Sequence, residues 1–367
     1  MPSSEKIMQV DLFLDEREKA AVNESLDARW LTEGPNCAKL QKMIAEQLGA
    51  KHVFFAPNGT LGLFLALLTL DLPRGSEIII PTFTFYGSAT AAVFAGLKPV
   101  FVDADPDTFQ STARAIRAAI TPATRAIMPV HIFGQVCEIA EIMEVAREHN
   151  LLVVEDAAQA LTIRYRGKAA GTFGDIGVFS MFSDKLATMG EGGVLVTDND
   201  KLAERLRLLR NQGRPNAGTF IHPSLGMNFR ITDLQAAIGC VQLTKLEAIK
   251  AGRARRWNRY MDGLKGVGDL RFMSVTDGSE LVAFRFPLLT RKREELSAFL
   301  ESAGIQCRGC FYPMHLQPEL RVEPPANLPV AESLFEQGIL LPLHHHISDA
   351  NIDHVVAKVR EFFGANN

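Results

Sequence analysis

The stretch I-G-V-F-S-M-F-S-D-K-L-A-T-M-G-E-G-G-V-L-V-T-D, Ile176 to Asp198, decides the fold. Its two ends, 176–181 and 193–198, are short apolar runs of strand length. The gap between them cannot hold a crossover helix, so the second run is expected to lie antiparallel to its neighbours. Within the gap stand Lys185, with no Lys or Arg adjoining it, and a turn rich in glycine at Gly190, Gly192 and Gly193. Burial disfavours an ammonium, lowers its pKa and leaves an amine able to attack a carbonyl. An isolated loop lysine usually points into water, since Lys is rarely buried. The residues upstream change that reading.

Upstream, apolar runs recur at 52–56, 77–81, 98–103, 125–131 and 151–155. Helical patterns fill most gaps, for example 111–120 and 138–149. Strands buried on both faces and joined by helices predict an α/β fold: a seven-stranded, mostly parallel sheet with one antiparallel strand. Ahead of it, 14–26 and 35–48 carry amphipathic helical spacing, separated by a segment containing Trp30 and Thr32. Beyond it come a helix at 200–212, a loop at 213–228 and one long helix from Thr232 through Gly252 and on. From about 268 the pattern changes. Strand-like runs at 269–274, 281–288 and 305–312 mix with helices at 291–303, 329–337 and 348–363. The expected division is a large domain, 1–245, with an N-terminal helical segment, and a smaller C-terminal α+β domain, 246–367.

The chain has 367 residues, 47% of them apolar, and a net charge of −3. That is ample for a large core and predicts no attraction to nucleic acid or an anionic membrane. The start, M-P-S-S-E-K, lacks a signal-peptide core, and no apolar run reaches membrane-spanning length. The expectation is a cytoplasmic protein. Five scattered cysteines fit a reducing compartment. Cys307 and Cys310 make C-R-G-C without a second pair, and His344–His346 reads as a loop with one histidine lining a pocket, so no metal site is expected.

Ligands of parallel α/β sheets bind at the carboxyl ends of strands. The first strand ends in Asn58-Gly59-Thr60 before a nearly all-apolar helix. Its free N–H groups and hydroxyl suit a phosphate, although an ordinary N-cap by Asn58 or Thr60 explains the same residues. No G-K-[ST] follows, and no G-x-G-x-x-G is present. The second strand ends in P-T-F-T-F-Y, where an aromatic can stack on a planar ring or fill the core. The fifth ends in Glu155-Asp156-Ala157-Ala158-Gln159. A carboxylate that deep needs a cation. Arg164 or Arg166 would supply one structurally; a protonated pyridine nitrogen would supply one functionally. Phosphate cup, aromatic face, aspartate and lysine on successive strand ends are the parts that hold pyridoxal 5′-phosphate.

With these residues in view, the sequence resembles the DegT/DnrJ/EryC1/StrS sugar aminotransferases, within the fold-type I pyridoxal-phosphate enzymes. The resemblance runs from about Trp30 to the C-terminus. It rests on N-G-T at 58–60, P-T-F-T-F at 81–85, P-V-H-I-F-G-Q at 129–135 and V-V-E-D-A-A-Q-A at 153–160. It continues through G-T-F-G-D-I at 171–176, T-M-G-E-G-G at 188–193, G-M-N-F-R-I-T-D-L-Q-A-A-I-G at 226–239 and P-M-H at 313–315. The resemblance implies that Lys185 carries the cofactor as a Schiff base and moves protons as general acid and base. Asp156 would pair with the pyridine nitrogen and Gln159 would lie near the phenolic oxygen. Gly59, Thr60 and Ser180 would hold the phosphate, and Phe85 would stack on the ring. Asn228 would reach the phosphate in the partner of a homodimer. Thr32, Arg308 and His315 match positions near a nucleotide-sugar.

The resemblance further implies an amino group moved from L-glutamate to a keto group of a nucleotide-linked sugar, with a 4-keto-6-deoxy sugar as the leading expectation. Amination of a 3-keto sugar or a keto-octulosonate is the alternative within the family. A cofactor-binding regulator without turnover is the alternative outside catalysis. Two departures stand out. Asp184 places an unexpected charge beside Lys185, raising its pKa if it points inward. Met189 stands where Thr is common. A sister group of dehydratases carries His in place of the lysine, and Lys185 argues against that chemistry.

Overall fold

The computed structural model describes residues 6–216, 218, 220–320 and 326–364. Two helices come first, α1 (Glu16–Asp27) and α2 (Pro35–Leu48). Asp15 closes a capping box on α1, and Gly49 ends α2 in the left-handed region. Strands and helices then alternate: β1 (His52–Ala56), α3 (Gly59–Leu70), β2 (Glu77–Pro81), α4 (Tyr86–Phe94) and β3 (Lys98–Val102). The series runs on through α5 (Ala113–Ala118), β4 (Thr124–Ile127), α6 (Ile139–Glu148) and β5 (Leu152–Asp156). A small hairpin, β6 (Arg164–Tyr165) and β7 (Lys168–Ala169), precedes β8 (Ile176–Ser180) and β9 (Gly193–Thr197).

The main sheet has seven strands in the order β1-β9-β8-β5-β4-β2-β3. β9 runs antiparallel to both β1 and β8; the remaining pairs are parallel. The expected single reversed strand is therefore present, and its cause is the short 181–192 connection. The period of two along each strand divides the core. Val53, Phe55, Ile79, Ile127, Val153, Phe179 and Val194 face one layer with α2 and α6. Phe54, Ala56, Ile78, Ile80, Val154, Val178 and Leu195 face the other, with α3 and α7 (Asp200–Arg210).

The structure corrects four readings. The fourth strand stops at Ile127 rather than His131, because Pro129 has no N–H to continue the ladder. The single long helix from Thr232 is two helices, α8 (Asp233–Thr244) and α9 (Leu246–Leu264). At the break, the Lys245 ammonium turns inward to Glu18 at 2.6 Å and Asp15 at 3.0 Å. The hairpin β6–β7 has strands too short to show a periodic pattern. The second sheet also holds an unforeseen strand. Its order is β10 (Arg271–Phe272), β11 (Phe286–Leu289), β13 (Gly338–Leu341), β12 (Arg308–Gly309), all antiparallel. β13 lies in its interior; its four residues, G-I-L-L, abut the helical pattern at 329–337 and lack a boundary of their own.

Three more helices cover this sheet: α10 (Arg293–Ser302), α11 (Pro329–Gln337) and α12 (Asp349–Phe362). Its core includes Trp257 and Tyr260 of α9 and continues into Phe83, Phe109 and Phe133 of the large sheet's loops. Hydrogen bonds join the two sheets' loops. Val282 N–H donates to Gly134 O at 2.9 Å and Phe284 N–H to Phe133 O at 3.2 Å. Gly134 has φ +90°, and a Cβ there would lie 2.0 Å from Val282 O, so this approach requires glycine.

Candidate active site

β5 and β8 are adjacent and parallel, so Asp156 and Ser180 emerge at the same edge of the sheet. Between β8 and β9 the chain makes a self-bonded turn. Lys185 N–H donates to Phe182 O at 3.0 Å, Thr188 Oγ1 to Met181 O at 3.2 Å, and Gly190 N–H to Thr188 Oγ1 at 2.8 Å. That turn holds Lys185 over the sheet edge with its side chain 16% exposed. Burial pushes its pKa down; Arg285 adds to the effect, while Asp184 and Asp156 oppose it. The amine is the kind of group the sequence suggested: a lysine shielded from water and inclined to lose its proton.

Asp156 is buried. Ser88 Oγ donates to its Oδ2 at 2.7 Å and Ala158 N–H to its Oδ1 at 3.1 Å. Burial nevertheless raises its pKa, outweighing these two hydrogen bonds and the nearby charges of Lys185 and His131. Neither arginine considered from sequence reaches it. Arg164 donates to Gly167 O and Gln47 O, and Arg166 pairs with Glu141 at 3.0 Å. Its neighbour Glu155 has a structural task, accepting the N–H groups of Gly171, Phe173 and Gly174 and holding His131 at 2.9 Å. Gln159 is also buried, and Phe133 N–H donates to its Oε1 at 2.8 Å.

A narrow cradle lies where β1 ends. Asn58 caps α3 by accepting Leu61 N–H at 2.9 Å. The cap reading thus holds for Asn58, and the N–H groups of Gly59 and Thr60 remain for a ligand at the helix N-terminus. A Cβ on Gly59 would lie 2.9 Å from Ser180 Cβ, and one on Gly193 would lie 2.3 Å from Asn58 O. A Cβ on Gly87 would lie 2.6 Å from Thr60 Oγ1. The first turn of α4 thus touches Thr60 through Gly87 and Asp156 through Ser88. Phe85, the residue before α4, is 62% exposed on this turn.

The remaining candidates sit differently. Thr32 and Asn228 are exposed; Asn228 forms a β-bridge with Asn211. Among the described residues the side chains of Lys185 and Asp156 pair with Asp184 and Ser88, and with neither of these two. Arg308 is exposed on β12, close enough to Arg285 to lower its pKa. His315 is buried rather than open to a pocket. Its Nδ1 meets Thr82 Oγ1 at 2.7 Å and its Nε2 meets Glu332 Oε1 at 3.2 Å, so it clamps α11 to the end of β2. Sequence reasoning missed Ser88, one turn after the P-T-F-T-F motif, and Arg285, whose position beside Asp184 has no local signal.

A family model described as the DegT/DnrJ/EryC1/StrS aminotransferase family matches residues 13–360. The chain belongs to this family. It is 38% identical over 353 residues to a GDP-perosamine synthase of Caulobacter vibrioides, covering 94% of this chain and 95% of that one. It is 36% identical over 324 residues to a UDP-N-acetyl-3-dehydro-alpha-D-glucosamine 3-aminotransferase of Acidithiobacillus ferrooxidans, covering 88% and 87%. The solved structure of DesV from S. venezuelae superposes with a TM-score of 0.94 at 31% identity, covering 99% of this chain and 100% of that one. This DegT-family chain is a sugar aminotransferase that depends on pyridoxal 5′-phosphate.

The residues present fit that cofactor. The Gly59–Ser180 and Gly87–Thr60 approaches make a cradle that any side chain would fill. Asp156 is a buried carboxylate whose two donors are uncharged, and a protonated ring nitrogen would complete it. Lys185 offers a shielded amine on the same edge.

Proposed function

We propose that this enzyme transfers the amino group of L-glutamate to C4 of a GDP-linked 4-keto-6-deoxy sugar, in the manner of a GDP-perosamine synthase. The observation that carries the reading is the 38% identity to the Caulobacter enzyme of that name across nearly the whole of both chains. Pyridoxal phosphate supplies an electrophilic carbon for amines and a ring that accepts electrons when its nitrogen is protonated. In this reading Lys185 would hold the cofactor covalently and, once freed, would shuttle a proton between the donor's α-carbon and the cofactor's reactive carbon, and in the opposite sense for the sugar in the second half of the cycle. Asp156, held by Ser88, keeps the ring nitrogen protonated. Gly59, Thr60 and Ser180 would hold the phosphate, Phe85 would stack on the ring and Gln159 would lie near its phenolic oxygen.

Thr32 and Arg308 are proposed to contact the nucleotide-sugar. His315 supports that region through Thr82 and Glu332. We further propose a homodimer in which Asn228 reaches the partner's phosphate site. Phe220, Leu225 and Met227, at 89%, 91% and 56% exposure, favour this, since such apolar side chains so near Asn228 call for cover.

The second reading is amination at C3, favoured by the 36% identical 3-aminotransferase. The deciding experiment incubates the enzyme and L-glutamate with GDP-4-keto-6-deoxymannose and, separately, with UDP- and dTDP-linked 3-keto sugars. The proposal expects 2-oxoglutarate and a 4-amino sugar nucleotide in the first mixture. Turnover confined to the 3-keto sugars would replace it with the second reading.

A further inference from the structure

Asp184 lies inward. One carboxylate oxygen, Oδ2, is taken by Arg285, which enters from the segment leading into β11. The Arg285 side chain is 6% exposed, and its guanidinium lies 4.2 Å from the centre of the Phe284 ring. The other oxygen, Oδ1, is buried without a hydrogen-bond partner and stands 3.8 Å from Lys185 Nζ. Lys185 Nζ itself lies 4.4 Å from the centre of the same Phe284 ring. Residues 283–285 do not move freely. Phe284 N–H is bonded to Phe133 O, and buried Arg253 donates to Phe284 O at 3.0 Å and Ala283 O at 3.4 Å.

We infer that Asp184 is a positioning residue for Lys185: Arg285 fixes one of its oxygens, and the other is the acceptor for the ε-ammonium whenever that group is free to hold a proton. This rests on the reading above, in which Lys185 carries the cofactor and moves the proton. An unpaired buried oxygen next to a buried amine is costly unless the two share a proton at some stage. The arrangement also ties the acid–base group to the second sheet, because Arg285 sits at the start of that sheet's β11. A shift of that sheet would change the hold on Asp184 and so the readiness of Lys185 to give up its proton.

The charged groups facing Lys185 are Asp184 on its own turn, Asp156 at the end of β5 and Arg285 before β11. A pocket bounded by Asp184, Lys185 and Arg285 is also lined by Asp11 of the N-terminal segment, Arg253 of α9 and His344 and His345 beyond β13. Burial holds both histidines low, at about 4, so they are neutral throughout the range in which a lysine titrates. In that range Asp184 and Arg285 therefore act on Lys185 with opposite signs.

The test uses the full chain after cofactor removal. Trace acetic anhydride labels Lys185 at a series of pH values, and peptide mass spectrometry gives its titration midpoint. Asp184→Asn is expected to lower the midpoint by about 1–3 pH units. Arg285→Gln leaves the carboxylate to Lys185 alone and is expected to raise it. General loosening of the fold would move both variants the same way. An unmoved or raised midpoint in Asp184→Asn, or an unmoved or lowered one in Arg285→Gln, overturns the inference. Uptake of pyridoxal phosphate by the unaltered protein is followed in parallel. Failure there sinks the underlying reading, whereas uptake with the wrong titration pattern sinks only the role of Asp184.

Discussion

Ser88 Oγ donates to Asp156 Oδ2 at 2.7 Å, across a gap of 68 residues. Thr84 Oγ1 lies 2.9 Å from the same hydroxyl, so Ser88 is itself held in place. A hydrogen bond to a charged group contributes about 1.5–3 kcal/mol. Ser88→Ala removes it and makes protonation of Asp156 easier. Pyridoxal phosphate should then bind at least about tenfold more weakly, read as Kd by fluorescence titration. An unchanged Kd would mean that Asp156 does not face the ring nitrogen.

Gly59→Ala tests the cradle. An added Cβ would lie 2.9 Å from Ser180 Cβ, an atom fixed to the β8 backbone. Overpacking of this kind costs roughly 1–3 kcal/mol, more than alanine's gain over glycine in a helix. Urea denaturation should show a lower midpoint and cofactor affinity should fall with it. A variant as stable as its parent would show that the cradle gives way.

The Lys245 ammonium pairs with Glu18, whose side chain is 4% exposed, and lies 4.5 Å from the centre of the Phe13 ring. Removing one partner of a buried pair costs about 3–5 kcal/mol, because the other charge is stranded. Lys245→Met should lower the melting temperature, and adding Glu18→Gln should restore part of the loss. A double variant less stable than Lys245→Met alone would contradict this account of the break between α8 and α9.

His344 and His345 supply a pH prediction. Burial depresses both to about 4, below the value near 6.5 of an unfolded histidine. The unfolded chain therefore binds protons first as pH falls. Their contribution to stability is complete above about pH 6.5 and is lost on descent toward about pH 4. Denaturant midpoints at pH 7.5 and pH 5 should differ, and His344→Leu should narrow that difference. An equal difference in the variant would place the acid sensitivity elsewhere.

Much of the large sheet was legible because its strands are buried on both faces and its turns carry glycine or proline. The reversal of β9 followed from the shortness of one connection. The second sheet was harder: β10 and β12 have two residues each, and β13 abuts α11. Asp156 was visible as a polar residue ending an apolar run, and Lys185 as the one cation in the gap between two such runs. Arg285 was not, because its meaning depends on Asp184, 101 residues away, and only the fold brings them together. His315 was matched to a position near a nucleotide-sugar; that Thr82 and Glu332 would enclose it had no local signal.

Whether the cofactor is attached at Lys185 is decided by borohydride reduction followed by peptide mapping. Reduction fixes pyridoxal phosphate to whichever amine carries it. One labelled peptide, containing Lys185, is expected, and none in Lys185→Ala. A label on another lysine, or no label in protein that has taken up the cofactor, would contradict attachment at Lys185.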